Sequence, residues 1–234
     1  RNMNELQELQ MQYYEVLQQQ KFVESDLDYN LLESHRPFLH RLSKVGNSGI
    51  TVFDMYKKEH VFASYNFGEL FGYDMSMVDN VGTEYFDSRV HPEDLIELTR
   101  NGISLLKYFY QIPNDERSNY KFVSEYRILG IGEKYIRIIE QQQALELDKY
   151  GNIWLGLSVL DVSPNQNTDQ AVKMQVINCK TGQILPSVSE IKNPELSKRE
   201  VEVLSLVKKG FLSKEISERL FISVHTVNTH RQRI

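Results

Sequence analysis

The chain changes its hydrophobic rhythm three times. Over the first forty-odd residues, Leu6, Leu9, Tyr13, Val16, Gln20 and Val23 recur at alternating spacings of three and four. That pattern predicts an amphipathic helix with one polar interruption, at Gln20. Glutamines and acids fill its other faces. The stripe either packs on its own domain or forms a short coiled-coil seam between two copies, and the spacing leaves both open. Asp26 and Asp28 interrupt the pattern before a second helical segment, LLESHRPFLHRL.

From about Val45 to Ser163 the period falls to two. SGITVFDM alternates as a strand does, and HVFASYN follows as its hairpin partner. FGELFGYD predicts a short helix. HPEDLIELTRNGISLLKYFYQI predicts a longer one, with Pro92 at its first position and Glu93 and Asp94 in its first turn. Three longer strands follow: YKFVSEYRIL, KYIRIIEQQQALEL and IWLGLSVLDVS. Turns at Gly130-Ile131-Gly132 and at Asp148 to Asn152 join them. A polar stretch, PNQNTDQ, leads to VKMQVINCKTGQIL, which reads as a hairpin turning at Lys180-Thr181-Gly182. PSVSEIKNPE, with two prolines, reads as a second linker.

From Leu196 the helical period returns. SKREVEVLSLVKKG places Val201, Leu204, Leu206 and Val207 on a helix that stops at Gly210. SKEISERLF predicts a second helix, with Ser213 as N-cap and Ile216 and Leu220 facing inward. ISVHTVNTHRQRI predicts a third, with Ser223 as N-cap. Two short helices joined by FIS make a helix-turn-helix, whose second helix can enter the major groove of DNA. On that helix Val227, His230 and Ile234 share one side, and His225, Asn228, Thr229 and Gln232 the other. Each of those last four can donate or accept a hydrogen bond, and none is acidic. Asn and Gln pair bidentately with adenine edges, and a threonine methyl can touch thymine. Lys214, Thr226, Arg231 and Arg233 lie around that face within reach of phosphates, and Ser223 at the helix start completes the candidate set.

Charge sharpens this picture. The 234 residues carry a net charge of −5, yet the part from Glu195 onward has eight basic and five acidic residues, leaving −8 on the rest. An acidic body with a small basic end points to a polyanion met by the end alone. Hydrophobic content of 41% and charged content of 25% are those of a globular chain. No run of eighteen apolar residues occurs, and the polar opening lacks a signal peptide's apolar centre. The chain opens without a Met, so trimming is expected at that end. A single cysteine, Cys179, leaves no internal disulfide and suits a reducing cytoplasm.

Two family resemblances follow from these residues. The order of two strands, helices and three strands, with HPED before the long helix, SEYRIL, DKYGNIW and LDVS, resembles a PAS domain ending in a PAC motif. That resemblance implies an antiparallel sheet with helices over one face, a sensory or dimerising role, and often a small cavity. LSKREVEVLSLVKKGFLSKEISERLFISVHTVNTHRQRI resembles the DNA-binding domain of LuxR-type transcriptional regulators through its L-S-x-R-E, S-K-E-I and I-S-x-x-T-V-x-x-H marks. It implies base-facing positions at Asn228, Thr229 and Gln232, and backbone-facing ones at Lys214, Thr226, His230 and Arg233. Many members carry lysine where this chain has Asn228, which puts the base preference in doubt. The family's fourth helix, which usually pairs two such domains, is expected beyond Ile234.

Other chemistries fit less well. His91 with Glu93 and Asp94 is the one compact acid–base cluster, and the first turn of a helix accounts for it. His35 and His40 are five apart, as are His225 and His230, and neither pair shares a helical face. GIGEK lacks the P-loop's spacing, and Cys179 lies outside the PAS-like section. The expectation is therefore no enzyme, and no haem, flavin or metal.

The sequence thus predicts an α+β protein. A helical segment (1–44, a candidate coiled coil) precedes a PAS-like antiparallel sheet with helices (45–165). A linker with a β-hairpin (166–194) and an all-α LuxR-type helix-turn-helix (195–234) follow. The expected function is a cytoplasmic, sequence-specific transcriptional regulator acting on double-stranded DNA as a homodimer. RNA polymerase and a small molecule in the PAS-like section are further expected partners, and no membrane is. Two alternatives remain, a signalling protein-interaction module and a sigma-factor-like promoter-binding protein.

Overall fold

The computed structural model describes residues 2–185 and 198–233. It divides into two units, Arg1–Ile191 and Lys192–Ile234. The first begins with α1 (Asn2–Leu17) and α2 (Asn30–Gly46), then β1 (Gly49–Asp54) and β2 (Glu59–Ala63). Four helices follow: α3 (Phe67–Phe71), α4 (Met75–Asn80), α5 (Thr83–Arg89) and α6 (Pro92–Phe109). The chain returns through β3 (Tyr120–Leu129), β4 (Tyr135–Leu147) and β5 (Ile153–Val162), then β6 (Lys173–Asn178) and β7 (Ile184–Leu185). Among the described residues these strands form one antiparallel sheet of order β2-β1-β5-β4-β3-β6-β7. The first five places, with helices inserted between β2 and β3, are the PAS arrangement.

Register explains how the two sheet faces differ. Ile50 and Val52 of β1 stand opposite Val159 and Leu157 of β5. These side chains pack with Leu32 and Leu39 of α2, Trp154 and Leu155. The alternate positions face the other way. Gly49 lies there under Phe67 and Phe71, and a Cβ at Gly49 would stand 2.6 Å from the Phe71 ring. The residue must therefore be small, because two aromatic rings of α3 rest on the bare backbone.

The N-terminal stripe finds its partner within the unit. Val16 and Leu17 are buried against Ile103 and Leu106 of α6, with Leu9 and Tyr13 beside them. The Tyr110 hydroxyl donates to the Val16 carbonyl at 2.9 Å. Helix α1 ends at Leu17, and the Gln20 side chain then accepts from the Ile153 N–H at 2.8 Å. The polar interruption thus caps the start of β5, and Val23 is exposed. Of the two packings that the spacing left open, the structure takes the intramolecular one for Leu9, Tyr13, Val16 and Leu17, which lie against α6.

The hairpin expected in a linker is part of the sheet. Val176 of β6 pairs with Phe122 of β3, and Met174 with Ser124. Even the polar stretch before it is held, because the Arg137 guanidinium donates to the Gln170 carbonyl and Gln166 donates to the Arg137 carbonyl. Cys179, directly after β6, is exposed. The Pro-containing segment PSVSEIKNPE lies outside the described residues.

The second unit holds α7 (Lys198–Lys208), α8 (Ser213–Leu220) and α9 (Val224–Arg233). Val203, Ile216 and Val227 are fully buried at their meeting point, with Leu206, Val207, Phe211, Leu220 and Ile222 around them. Val201, on the same helix, is exposed. Val203 takes the core position because Leu206 and Val207 lie three and four residues beyond it, on the same helical face. No described helix is long and apolar enough to cross a membrane.

Candidate nucleic-acid interface and sensor cavity

Local chemistry sets the angle between α8 and α9. Leu212, not Ser213, precedes the first turn of α8, and its N–H donates to Glu215 at 2.7 Å. Ser213 is thus inside the helix, where its hydroxyl accepts from Arg231 of α9 at 3.1 Å. Helix α8 stops at Phe221, a left-handed residue with φ of 55°. The Arg199 guanidinium donates to the Leu220 carbonyl, tying that turn to α7. Ser223 then caps α9 as expected: its Oγ accepts from the Thr226 N–H at 3.0 Å and lies 2.8 Å from the Thr226 hydroxyl.

The candidate side chains divide in three. His225, Asn228 and Lys214 are exposed, and the Asn228 side chain has no hydrogen-bond partner among the described residues. Thr229 shares that outward face, its hydroxyl donating to the His225 carbonyl at 3.0 Å so that its oxygen remains an acceptor. Ser223, Thr226 and Arg231 are near the same surface but are engaged in the cap and in the contact to Ser213. His230 is half-buried, its Nδ1 3.9 Å from Glu200 of α7. The side chains of Gln232 and Arg233, and Ile234 altogether, lie outside the described residues.

The first unit contains a site that the sequence did not single out. A cavity of about 330 Å³ lies between the inner sheet face, α5, α6 and α1. Its apolar walls include Phe53, Phe86, Leu98, Leu105, Phe109 and Phe122. A polar strip crosses its floor: Thr51 stands opposite Ser158, Ser158 opposite Gln142, and Glu140 opposite Ser124. Glu140 accepts from the Tyr126 hydroxyl at 2.8 Å and from Gln142 at 3.2 Å. Burial pushes the Glu140 carboxyl up, against the lowering by its hydrogen bonds. Asp87 is pushed up to about 6, by burial first and then by Glu84. His60 is lowered to about 4 by burial, and its Nδ1 contacts Thr83 Oγ1 at 2.9 Å. The signal for the strip lay in EQQQALEL, whose four consecutive polar residues put polar side chains on both faces of β4.

The HPED cluster proves to be a tie between helix and sheet. His91 accepts from the Glu93 N–H at 3.3 Å, capping α6. Asp94, only 1% exposed, accepts from the Arg127 N–H at 2.8 Å and from its guanidinium Nε at 3.0 Å. Among the described residues no three His, Cys, Asp or Glu side chains are grouped as a metal ion would need.

Comparison with known proteins agrees with this division. Residues 194–234 match the family described as bacterial regulatory proteins, luxR family. The same region is 56% identical over 39 residues to the oxygen regulatory protein NreC of Staphylococcus aureus, covering 17% of this chain and 18% of that protein. Among solved structures, a Vibrio cholerae VqmA dimer described among LuxR-type receptors aligns with 82% of this chain and 76% of its own, at 15% identity and a TM-score of 0.38. A PAS domain from Colwellia psychrerythraea aligns with 57% of this chain and 97% of its own, at 14% identity and a TM-score of 0.41. Neither structural likeness carries weight beside the strand order and the family match. The molecule joins a PAS-type unit to a LuxR-type helix-turn-helix domain. That C-terminal domain is the part for which a family is assigned.

Proposed function

We propose that this protein is a sequence-specific, DNA-binding transcriptional regulator whose PAS-type unit senses a small molecule. One observation carries the reading. A folded helix-turn-helix presents His225, Asn228 and Thr229 outward on its second helix, with no acid on that face. Such a face can exchange hydrogen bonds with base edges, while Lys214 beside it neutralises a phosphate. Gln232 and Arg233 continue the same helix, and we assign them a base and a phosphate respectively. Ser223, Thr226 and Arg231 fix the angle of α9 and offer their remaining hydrogen-bonding capacity to the backbone of the duplex.

The protein works as a homodimer in this proposal, because LuxR-type domains read paired half-sites, and it acts in the cytoplasm by binding rather than by catalysis. Leu212 and Phe221, at the two ends of α8, are exposed apolar residues that suit a protein contact, for which RNA polymerase is the proposed partner. A gel shift on fragments of the source genome tests the reading. Retarded fragments sharing a sequence support it. Uniform retardation of every fragment, or none, refutes sequence-specific binding.

A further inference from the structure

The cavity in the PAS-type unit has an unusual charge balance. Among the described residues two carboxyls line it, Asp87 on α5 and Glu140 on β4, and no Lys or Arg does. The one imidazole on the wall, His60, is neutral at pH 7, since burial lowers it to about 4. Nearby cations are engaged elsewhere. Arg89 lies 5.5 Å from the Tyr73 ring centroid but gives its guanidinium to the carbonyls of Leu129 and Gly130 and to Glu133. Lys58 reaches the Tyr14 ring at 5.6 Å.

The two acids are placed differently. Glu140 is held from two sides, by the Tyr126 hydroxyl and the Gln142 amide, which aim its carboxylate rather than neutralise it. The Asp87 carboxyl has no hydrogen-bond partner among the described residues, whereas its backbone carbonyl accepts from the Val90 N–H. Charges facing a low-dielectric space are costly unless paired, and neither acid has a cationic partner within the cavity. The rest of the wall is aromatic and aliphatic, with Phe53, Leu105, Phe109 and Phe122 opposite the polar strip.

We propose that this cavity takes a small organic cation, with an ammonium-type head at Glu140 and Asp87 and an apolar body among the phenylalanines. The proposal rests on reading the PAS-type unit as a sensor and names the class of molecule sensed. A neutral ligand of the same shape would fill the apolar part but leave both acids unpaired. An anionic one would set a negative charge beside two acids that burial already pushes towards their neutral forms. A cation supplies the missing counter-charge, and the aromatic walls favour its apolar body.

Three probes of one shape separate these cases: phenylbutylamine, phenylbutanol and phenylbutyrate. Each is titrated calorimetrically into the full chain and its Glu140→Gln and Asp87→Asn variants, with circular dichroism reporting the fold. The amine is expected to bind at least about tenfold more tightly than the other two. Glu140→Gln, which keeps the side chain's size and its contact to Tyr126, should erase that preference. If Glu140→Gln does not fold, Asp87→Asn carries the test and should weaken the preference by several-fold. Equal binding of alcohol and amine, tighter binding of the carboxylate, or no binding of any probe overturns the proposal. So does a folded Glu140→Gln variant that keeps the preference. DNA binding of the same preparations without probe tests the regulator reading separately. If the amine binds but leaves DNA affinity unchanged, the sensor reading fails while the ligand class stands.

Discussion

Asp94 illustrates how one side chain can serve two elements at once. Its place in the first turn of α6 favours the helix through the macrodipole, and its carboxylate also holds β3 through both the backbone and the guanidinium of Arg127. Asp94→Ala would leave that guanidinium without its main partner at a half-closed site. A loss of about 3–5 kcal/mol in a urea melt is expected, with Asp94→Asn losing less because it can still accept from the Arg127 N–H. Acid–base behaviour divides similarly at the cavity. Asp87 rises to about 6 from 3.8, so it contributes stability below about 3.8 that is lost as the pH rises through 6. His60 falls to about 4 from 6.5, so its contribution is complete above 6.5 and is lost as the pH falls towards 4. Between pH 4 and 6 the two therefore act in opposite directions. Asp87→Asn removes one of them. That variant should be more stable than the parent by about 1–2 kcal/mol at pH 7, an amount discounted for the carboxyl's partial exposure. The gain should vanish near pH 4, which a series of melts across pH would record.

Among the elements, α1 is the one whose packing its sequence pattern left undecided. Its stripe spacing fitted a coiled coil and an intramolecular helix equally, and only the position of α6 decides between them. Leu17→Ala should cost about 3 kcal/mol, read by denaturant unfolding, without changing the sedimentation coefficient. A shift from dimer to monomer in that variant would restore the intermolecular seam. Strand β3 was legible to the residue: YKFVSEYRIL was read as one strand, and from Phe122 onward buried and half-buried positions alternate along it. Helices α4 and α5 were not. At six and seven residues they are too short to show a period, and their marks are local: Asp74 accepting from the Ser76 N–H, and Gly82 at a φ of 68°. The hairpin at β6 and β7 was legible as strands but not as sheet, since its pairing with β3 joins residues some fifty positions apart. The same limit applies to the candidate sites. The outward face of α9 follows from helical angle alone, whereas the cavity acids are brought together by register and by the packing of α5, which no local pattern encodes.

At the scale of the whole molecule, charge and architecture divide at the same place. The stretch from Glu195 onward carries +3 and the remainder −8, so a polyanion is attracted by the C-terminal part and repelled by the rest. Strong salt dependence should accompany DNA binding and originate in the C-terminal unit. The most direct test is fluorescence anisotropy of the full chain on a selected duplex and on a scrambled one, at two salt concentrations, for the parent protein, Asn228→Ala and Lys214→Ala. Asn228→Ala should lose about 1–3 kcal/mol on the selected duplex and little on the scrambled one. Lys214→Ala should weaken both alike and lower the salt slope by about one unit. Equal losses on both duplexes for both variants, with no preference for the selected sequence in the parent, would contradict the claim that α9 reads bases.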